Sequence, residues 1–455
     1  MKFPAIRRAT TRAAVLLTTL LTATAGLSVA AVPAEAANRV TPGGFSGYGF
    51  DQCETQSQEV MDKWLTSSPY WAVGVYIAGT NRHCGDARQG NLTATWIATQ
   101  LRNGWKVLPI TVGPQASCFV SSSKKVRIVS DPADDYVQAR KQGRLEAQDT
   151  VSRARALGIT AGSTLWYDLE AYDIGNKRCR ESALYFLSSW TRTLHGLGYV
   201  SGVYSSASSG IRAIDNARVL EPGRYVMPDR IWTAEWVSET GYRTPPTLTA
   251  PSLFSSYFSD DGWPGRRMRQ YRGGHNETHG GATINIDTNY LHLGGGTRAG
   301  RAPRFCRNTT VDFPSYRFLR AGSRGAQVKA VQCLMKQKKL YGGRLSAVYN
   351  RGTERAVRRF QERRGVRVTG KMFRSTWTML LSGGRTPVVK VGSGGNNVRR
   401  VQRALNAAVA AGVSVDGIFG PSTTAAVRKY QAGVGLRRTG VVASDTWEKL
   451  QTGKL

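Results

Sequence analysis

The last third of the chain contains an internal repeat, in which matching residues are separated by 70 positions. The register holds without a gap, so the segment is a duplication and both copies are expected to share one fold. Apolar residues recur at helical intervals in each copy, which predicts two small all-α modules of three short helices, over 320–381 and 390–451. The matching pairs include Gly322 and Gly392, Val328 and Val398, Gln332 and Gln402, and Trp377 and Trp447.

Upstream of the repeat, residues 45–293 alternate between short apolar runs and stretches of helical periodicity. This alternation predicts parallel β-strands joined by helices, and about eight strands in roughly 250 residues match a (β/α)8 barrel. Long loops replace clear helices between the later strands, so we expect a degenerate TIM barrel. The predicted fold class is therefore α/β: a (β/α)8-type barrel followed by the two all-α modules. Residues 294–319, which begin Gly-rich and carry Cys306, are predicted to be a linker.

The fourth predicted strand leads into two carboxylates, Asp168 and Glu170. Side chains alternate along a strand, so both carboxylates are expected on one face. An isolated Asp-x-Glu is more often structural, with one acid capping a loop or pairing with an arginine. Here Asp51, Glu235 and Asp287 also fall at or near the ends of other predicted strands. A closed barrel would bring these acids to one mouth, and paired carboxylates are the usual machinery for cleaving glycosidic bonds.

Residues 1–36 have the features of a cleavable signal peptide. A positive segment that includes Arg7 and Arg8 precedes an apolar run over 13–32, and Ala34-Glu35-Ala36 is a small-x-small cleavage site. The export route, Sec or twin-arginine, is open. An uncleaved membrane anchor is the alternative, but the cleavage site and the many Thr, Gly and Ala residues favour cleavage. We expect a secreted, cell-wall-associated protein that is peripheral to the envelope and does not span the membrane.

The formal net charge is +33, and most of it lies in the repeat. Residues 301–455 hold 31 Lys and Arg against 6 Asp and Glu. Such a field attracts polyanions: nucleic acid, anionic lipid or acidic wall polymers. Because an exported protein does not meet nucleic acid first, we predict peptidoglycan or another acidic cell-wall polymer as the partner, and no nucleic acid. We also predict a monomer.

Six cysteines in an exported chain favour disulfides. Cys306 and Cys333 are the two in the C-terminal third and form a natural pair. The other four allow three pairings, and the sequence does not choose among them: Cys53, Cys84, Cys118 and Cys179. No Cys-x-x-Cys or Cys/His spacing typical of zinc occurs, so neither a metal site nor a cofactor is predicted. His275 and His279 are interpreted as loop histidines.

The repeat resembles the peptidoglycan-binding module that is often fused to bacterial wall hydrolases. The second copy carries nearly the whole pattern, ending in Asp416-Gly417-Ile418-Phe419-Gly420-Pro421, Tyr430-Gln431 and Trp447. The first copy departs from it, with Ser346-Ala347 in place of Asp-Gly and Asn350-Arg351 in place of Gly-Pro. The resemblance implies wall binding by module 2. For the degenerate module 1 two alternatives stay open, a ligand-binding role and a mostly structural one.

Residues 45–293 resemble the family 25 glycoside hydrolases and, more closely, the related domain of unknown function 1906. The motifs that carry the resemblance are Gly49-Phe50-Asp51, Tyr167-Asp168-Leu169-Glu170, Trp232-Thr233-Ala234-Glu235-Trp236, Arg269-Gln270-Tyr271 and Ile286-Asp287-Thr288-Asn289. Glu235 departs from the muramidase pattern, which has an uncharged residue there.

This second resemblance implies a muramidase-like enzyme that hydrolyses β-1,4 glycosidic bonds of peptidoglycan. Glu170 would be the general acid, and Asp168 would orient the substrate's 2-acetamido group or act on water. Substrate binding would fall to Asp51, Glu235, Asp287, Trp232 and Tyr271. The alternative is a non-catalytic envelope protein whose barrel binds glycan without turnover.

Overall fold

The computed structural model describes residues 38–121, 125–236, 255–294, 297–306 and 309–455. The predicted signal peptide lies outside the described residues. Within the described ranges, no helix has the length and apolar character needed to cross a membrane.

Eight strands close into a barrel in chain order, which confirms the predicted fold class. Strand pairing is parallel from β1 through β7. Helices α1 to α5 occupy the first five connections after β1 to β5 and cover the outside of the barrel. The strands are β1 Phe45–Asp51, β2 Ala72–Ala78, β3 Lys106–Thr111, β4 Thr164–Asp168, β5 Val200–Ser206, β6 Arg230–Ala234, β7 Arg266–His279 and β8 Ala282–Leu293. The helices are α1 Gln58–Ser67, α2 Ala94–Asn103, α3 Val137–Ala156, α4 Lys177–Gly196 and α5 Arg212–Leu220.

The last two strands correct the expectation of parallel pairing. β7 and β8 form a long antiparallel hairpin, and β8 is antiparallel to β1 as well. The hairpin turn is Gly280-Gly281, whose φ angles of 59° and 79° suit glycine and a tight two-residue connection. His275 and His279, interpreted above as loop residues, lie on β7. The barrel therefore lacks a helix between β7 and β8. In this respect it departs from a regular (β/α)8 barrel.

Two layers of apolar side chains build the barrel domain. The interior is filled by Phe45, Leu108, Trp166, Trp232 and Leu291. Outward-facing strand residues and the inner faces of the helices form the larger layer, which includes Phe50, Trp64, Trp105 and Trp190. Because alternate residues serve the two layers, the inward-pointing Asp51 at the end of β1 reaches the barrel mouth while Phe50 packs outside.

The duplicated sequence produces duplicated hydrogen bonds. The side-chain amide of Gln402 donates to Ile418 O and Thr423 Oγ1, and that of Gln332 donates to Val348 O and Thr353 Oγ1. Module 1 contains α6 Ala326–Gln337, α7 Arg351–Arg363 and α8 Arg374–Ser382, and module 2 contains α9 Asn396–Val409, α10 Pro421–Gly433 and α11 Ser444–Gln451.

The departures in module 1 leave its fold intact. Ala347 adopts a positive φ of 57°, where the equivalent Gly417 has 80°. Asn350 caps α7 by accepting from Thr353 N at 2.9 Å, whereas in module 2 Pro421 begins the matching helix. A side-chain cap thus takes the place of a proline start.

All six cysteines form disulfides. The predicted Cys306–Cys333 pair is confirmed. The pairings left open by the sequence are Cys53–Cys84 and Cys118–Cys179. The first of these joins the end of β1 to the loop that follows β2, at the mouth of the barrel.

Module 2 packs directly against the barrel domain. Lys390 is fully buried, its ammonium donates to Leu65 O at 2.8 Å, and it lies 4.5 and 5.2 Å from the ring centroids of Trp71 and Trp105. Burial lowers the pKa of Lys390 well below its ordinary value. One hydrogen bond and two aromatic faces therefore take the place of water around this cation.

Candidate active site

Four predicted site residues line one cavity of about 250 Å³ at the barrel mouth: Asp51, Asp168, Glu170 and Asp287. Asp51 and Asp168 are the last residues of parallel strands β1 and β4. Asp287 arrives differently, from the middle of β8, because antiparallel pairing sets it directly opposite Asp51. His83 and the Cys53–Cys84 disulfide complete one wall. A larger cavity, about 720 Å³, lies elsewhere, between the barrel and module 2.

The Asp168–Glu170 segment is held by a residue that the sequence did not single out, Gln115. Its side-chain amide donates to Asp168 O at 2.9 Å, and its Oε1 accepts from Glu170 N–H at 2.8 Å. Gln115 is fully buried. Asp168 is 5% exposed, Leu169 is buried, and Glu170 is partly exposed. The clamp therefore fixes the main chain of both acids beside the cavity.

Asp51 lies at the centre of a buried polar network. Asn289 donates to its Oδ1 at 2.6 Å, Gln270 donates to the same atom at 3.3 Å, and the Tyr76 hydroxyl donates to Oδ2 at 3.3 Å. Burial, followed by the charge of Asp287, raises the pKa of Asp51 well above its ordinary value, against the effect of the two amides. The surroundings of Asp51 therefore disfavour its charged form more than water does.

Asp287 shares the network through Gln270, which donates to its Oδ2 at 3.3 Å. Burial raises the pKa of Asp287 to about 6, and the nearby charge of Glu170 adds to this, while Gly274 N–H and His275 oppose it. Asp287 therefore changes charge near pH 6.

Gln270 is oriented by two aromatic residues. Its Oε1 accepts from the Tyr204 hydroxyl at 2.9 Å and from Trp236 Nε1 at 3.0 Å, so its amide nitrogen faces the two aspartates. The motif Arg269-Gln270-Tyr271 drew attention to this stretch, but the residue that enters the site is Gln270. Strand alternation is the signal that would have distinguished it from its neighbours.

The other three predicted binding residues lie apart from this cavity. Glu235 pairs with Arg269, with 3.7 Å between Glu235 Oε2 and the guanidinium. Trp232 is 1% exposed inside the barrel, where its Nε1 donates to Asn289 Oδ1 at 2.7 Å, so it acts on the site through Asn289. Tyr271 is buried on the opposite face of β7 and lines a different cavity.

An aromatic surface does exist near the site, in Trp236. This residue follows β6, is 63% exposed, and donates to Gln270. Flat aromatic faces suit the apolar faces of sugar rings. Sequence reasoning favoured Trp232, which shares the motif; burial is what separates the two.

The sequence profile of the Rv2525c-like, glycoside hydrolase-like domain matches residues 62–291, half of the chain. This chain belongs to the Rv2525c-like glycoside hydrolase-like family. A peptidoglycan binding domain profile matches twice, at 324–380 and 394–450. Both resemblances drawn from the sequence are thereby confirmed, and the chain is a glycoside-hydrolase-like protein associated with cell-wall glycan.

Individual relatives are more distant. A Kitasatospora aureofaciens protein, described as an uncharacterized protein in the bpoA1 3′ region, is 38% identical over 90 residues, which span 19% of this chain and 76% of that protein. An uncharacterized protein of B. stearothermophilus has a solved structure that is 19% identical, with a TM-score of 0.35, covering 54% of this chain and 95% of its own.

Two further solved structures are similar to this chain. The Tat-secreted protein Rv2525c of Mycobacterium tuberculosis, in complex with L-tartrate, is 13% identical with a TM-score of 0.33, covering 54% of this chain and 95% of its own. A family 25 glycosyl hydrolase from Bacillus anthracis is 14% identical with a TM-score of 0.31, covering 55% of this chain and 91% of its own.

Proposed function

We propose that this protein is a secreted, muramidase-like hydrolase that cleaves β-1,4 glycosidic bonds of peptidoglycan, targeted to the wall by its C-terminal modules. The observation that carries the proposal is the convergence of Asp51, Asp168, Glu170 and Asp287 on one cavity at the barrel mouth. Glycoside hydrolysis needs one carboxylic acid to protonate the leaving oxygen and a second carboxylate to assist the attack.

Glu170 is assigned as the general acid, because it is the partly exposed member of the clamped pair and borders the cavity. Asp168, more deeply buried, orients the 2-acetamido group or a water molecule. The Gln115 clamp holds both acids in place and supplies the preorganisation that the chemistry needs.

Asp51 and Asp287 shape the subsite beside the scissile bond. Because its pKa is raised, Asp51 protonates more readily than an ordinary carboxyl, and its protonated form can donate a hydrogen bond to a sugar hydroxyl, whereas the ionised form can only accept. Trp236 offers the exposed ring against which a neighbouring sugar stacks. Substrate contacts thus come from the carboxyls of the cavity and from a ring that is hydrogen-bonded to Gln270.

The test is the release of reducing ends from purified peptidoglycan of several wall chemistries. Wild-type protein should release them, and Glu170→Gln should lower the rate by at least about 100-fold, within the range attributed to general acid catalysis. Glu235→Gln is the matched control, because this acid lies outside the cavity and should change the rate less than about threefold. A wild-type protein that releases no reducing ends from any wall would refute the enzymatic proposal.

A further inference from the structure

A second cavity, of about 490 Å³, lies between the outer face of the barrel and module 2. The barrel contributes three tyrosines, Tyr48, Tyr70 and Tyr271, together with Arg272, and module 2 contributes three further arginines. This cavity is distinct from the carboxylate cavity. On β8, Asp287 lines the carboxylate cavity and the adjacent Thr288 lines the second one, because neighbouring strand residues face opposite ways.

The module 2 wall is cationic: Arg428, on α10, is joined there by Arg437 and Arg438. In the part of the chain that the structure describes, none of these three arginines pairs with a carboxylate, and the buried Nε of Arg428 has no hydrogen-bond partner. A buried guanidinium nitrogen without a partner points to a missing acceptor.

The repeat provides an internal comparison for this wall. Arg358 of module 1 occupies the position of Arg428 and lies 3.2 Å from Glu354. Module 2 has Thr424 where module 1 has Glu354. The duplicated modules therefore differ at this point: one arginine is neutralised within its own helix, and the other faces the cavity with its charge available.

The barrel wall adds donors and does not neutralise the arginines. Glu277 accepts from Tyr70 at 2.9 Å, from His275 at 3.0 Å and from His279 at 2.9 Å. Burial opposes its ionisation, but these donors bring the pKa of Glu277 down to about 2. Its oxygens are thus already engaged by the barrel's own side chains. Tyr48 is 3% exposed, and its hydroxyl has no hydrogen-bond partner among the described residues.

We propose that this cavity binds the carboxylate end of a short peptide, the chemistry of the peptide stem of peptidoglycan. Arg428 pairs with the carboxylate, Arg437 and Arg438 surround it, and Tyr48 offers a hydroxyl. The assignment rests on the proposed wall substrate and adds a peptide-reading site to the glycan-cleaving one.

A cavity that combines tyrosine walls with a partly buried acid favours a peptide end over a phosphate polymer. A polyanion is matched by cations alone, whereas this cavity places the ionised Glu277 beside Arg272 on the barrel wall and three arginines on the module 2 wall. A short peptide carries a carboxylate together with amide and amine donors, and so matches both walls.

The test is isothermal titration with the full chain carrying Glu170→Gln. The probes are the alanyl-γ-glutamyl-lysyl-alanine tetrapeptide, its C-terminal amide, and a glycerol phosphate oligomer. We expect the free carboxylate form to bind about tenfold or more tightly than the amide, and Arg428→Gln to weaken binding by a similar factor. Tyr48→Phe should weaken it a few-fold, and Arg358→Gln in module 1 should leave it unchanged.

Any one of three results would overturn the assignment. The peptide and its amide could bind equally well, or a correctly folded Arg428→Gln chain could bind the peptide as tightly as the parent chain does. The third result is tighter binding of the glycerol phosphate oligomer than of the peptide. Because these titrations need no turnover, they separate the two proposals. If the protein does not hydrolyse glycan but still binds the peptide, only the catalytic proposal is contradicted.

Discussion

Replacing Gln115 by Met tests the idea that a buried clamp positions the catalytic pair. The substitution keeps the volume of the side chain and removes its hydrogen bonds to Asp168 O, Gly113 O and Glu170 N–H, which measure 2.9, 3.2 and 2.8 Å. Losing the bond to Gly113 O costs about 1 kcal/mol, because Asn81 still donates to that oxygen, and leaving Asp168 O and Glu170 N–H without this partner costs about 1–3 kcal/mol each. We therefore expect a destabilisation on the order of 3–7 kcal/mol.

The catalytic effect should be separable from the loss of stability. A displacement of the acids by about 1 Å is enough to reduce kcat about 100-fold, whereas KM should change by less than about threefold, because the other subsite contacts remain. Gln100→Met is the matched control: Gln100 is also fully buried but bonds to Gln58, between α2 and α1. It should lower the melting temperature and leave kcat unchanged.

The assay is reducing-end release, measured below the melting temperature of each variant, with chemical denaturation monitored in parallel. If Gln115→Met unfolds more easily but keeps kcat within a factor of about two, then the position of the Asp168–Glu170 segment does not limit catalysis, and the clamp argument fails.

Three further predictions address the site and its surroundings. The folded-state pKa of Asp287 is about 6, above its ordinary value, so the stability that its neutral form contributes is complete below about pH 4 and is lost as pH rises through 6. Wild-type protein should therefore lose on the order of 3 kcal/mol of stability between melting curves recorded at pH 4 and pH 7. Asp287→Asn should abolish this loss. Lys390→Ala should destabilise the docked module 2 by about 2 kcal/mol and speed its proteolysis. The control is Arg320→Ala, at the equivalent but exposed position of module 1, which should have neither effect. Serine replacement of the Cys53–Cys84 or the Cys306–Cys333 pair, which close loops of 31 and 27 residues, should lower the free energy of unfolding by about 3–4 kcal/mol in each case, as measured by denaturation. Only loss of Cys53–Cys84 should also lower kcat/KM, because this disulfide lies in the cavity wall. Equal kcat/KM values for the two variants would contradict that role.

The strand-end aspartates were accessible to sequence reasoning because they follow from two local patterns. Apolar runs followed by helical periodicity fix parallel strands, and the end of each parallel strand lies at the same mouth. Asp51 and Asp168 follow this rule. Asp287 reached the same cavity by another route, since antiparallel pairing brings the middle of β8 opposite Asp51.

The hairpin that makes this possible had a local signal. Gly280-Gly281 is a typical two-residue turn, and the residues that follow it, 282–287, alternate between apolar and polar. Two short strands separated by a Gly-rich loop were predicted instead, over 269–271 and 283–287, so the hairpin was missed.

Residues that depend on distant packing could not be predicted. Gln115 lies in a loop more than 50 positions from the acids that it clamps. Likewise, nothing near Lys390 in the sequence shows that it is buried against the two tryptophans of the barrel. Trp232 and Trp236 share one motif, yet one is buried and the other is 63% exposed. Such distinctions depend on which surfaces meet in three dimensions.

Cleavage of a wall glycan by Glu170, on the clamped segment, can be followed through its products. Purified peptidoglycan is digested, the products are reduced with borohydride, and the new reducing-end sugar is identified by mass spectrometry. We expect N-acetylmuramic acid ends to accumulate with wild-type protein and to be absent with Glu170→Gln. Products that lack new reducing ends, or that are released equally by both proteins, would contradict cleavage by Glu170.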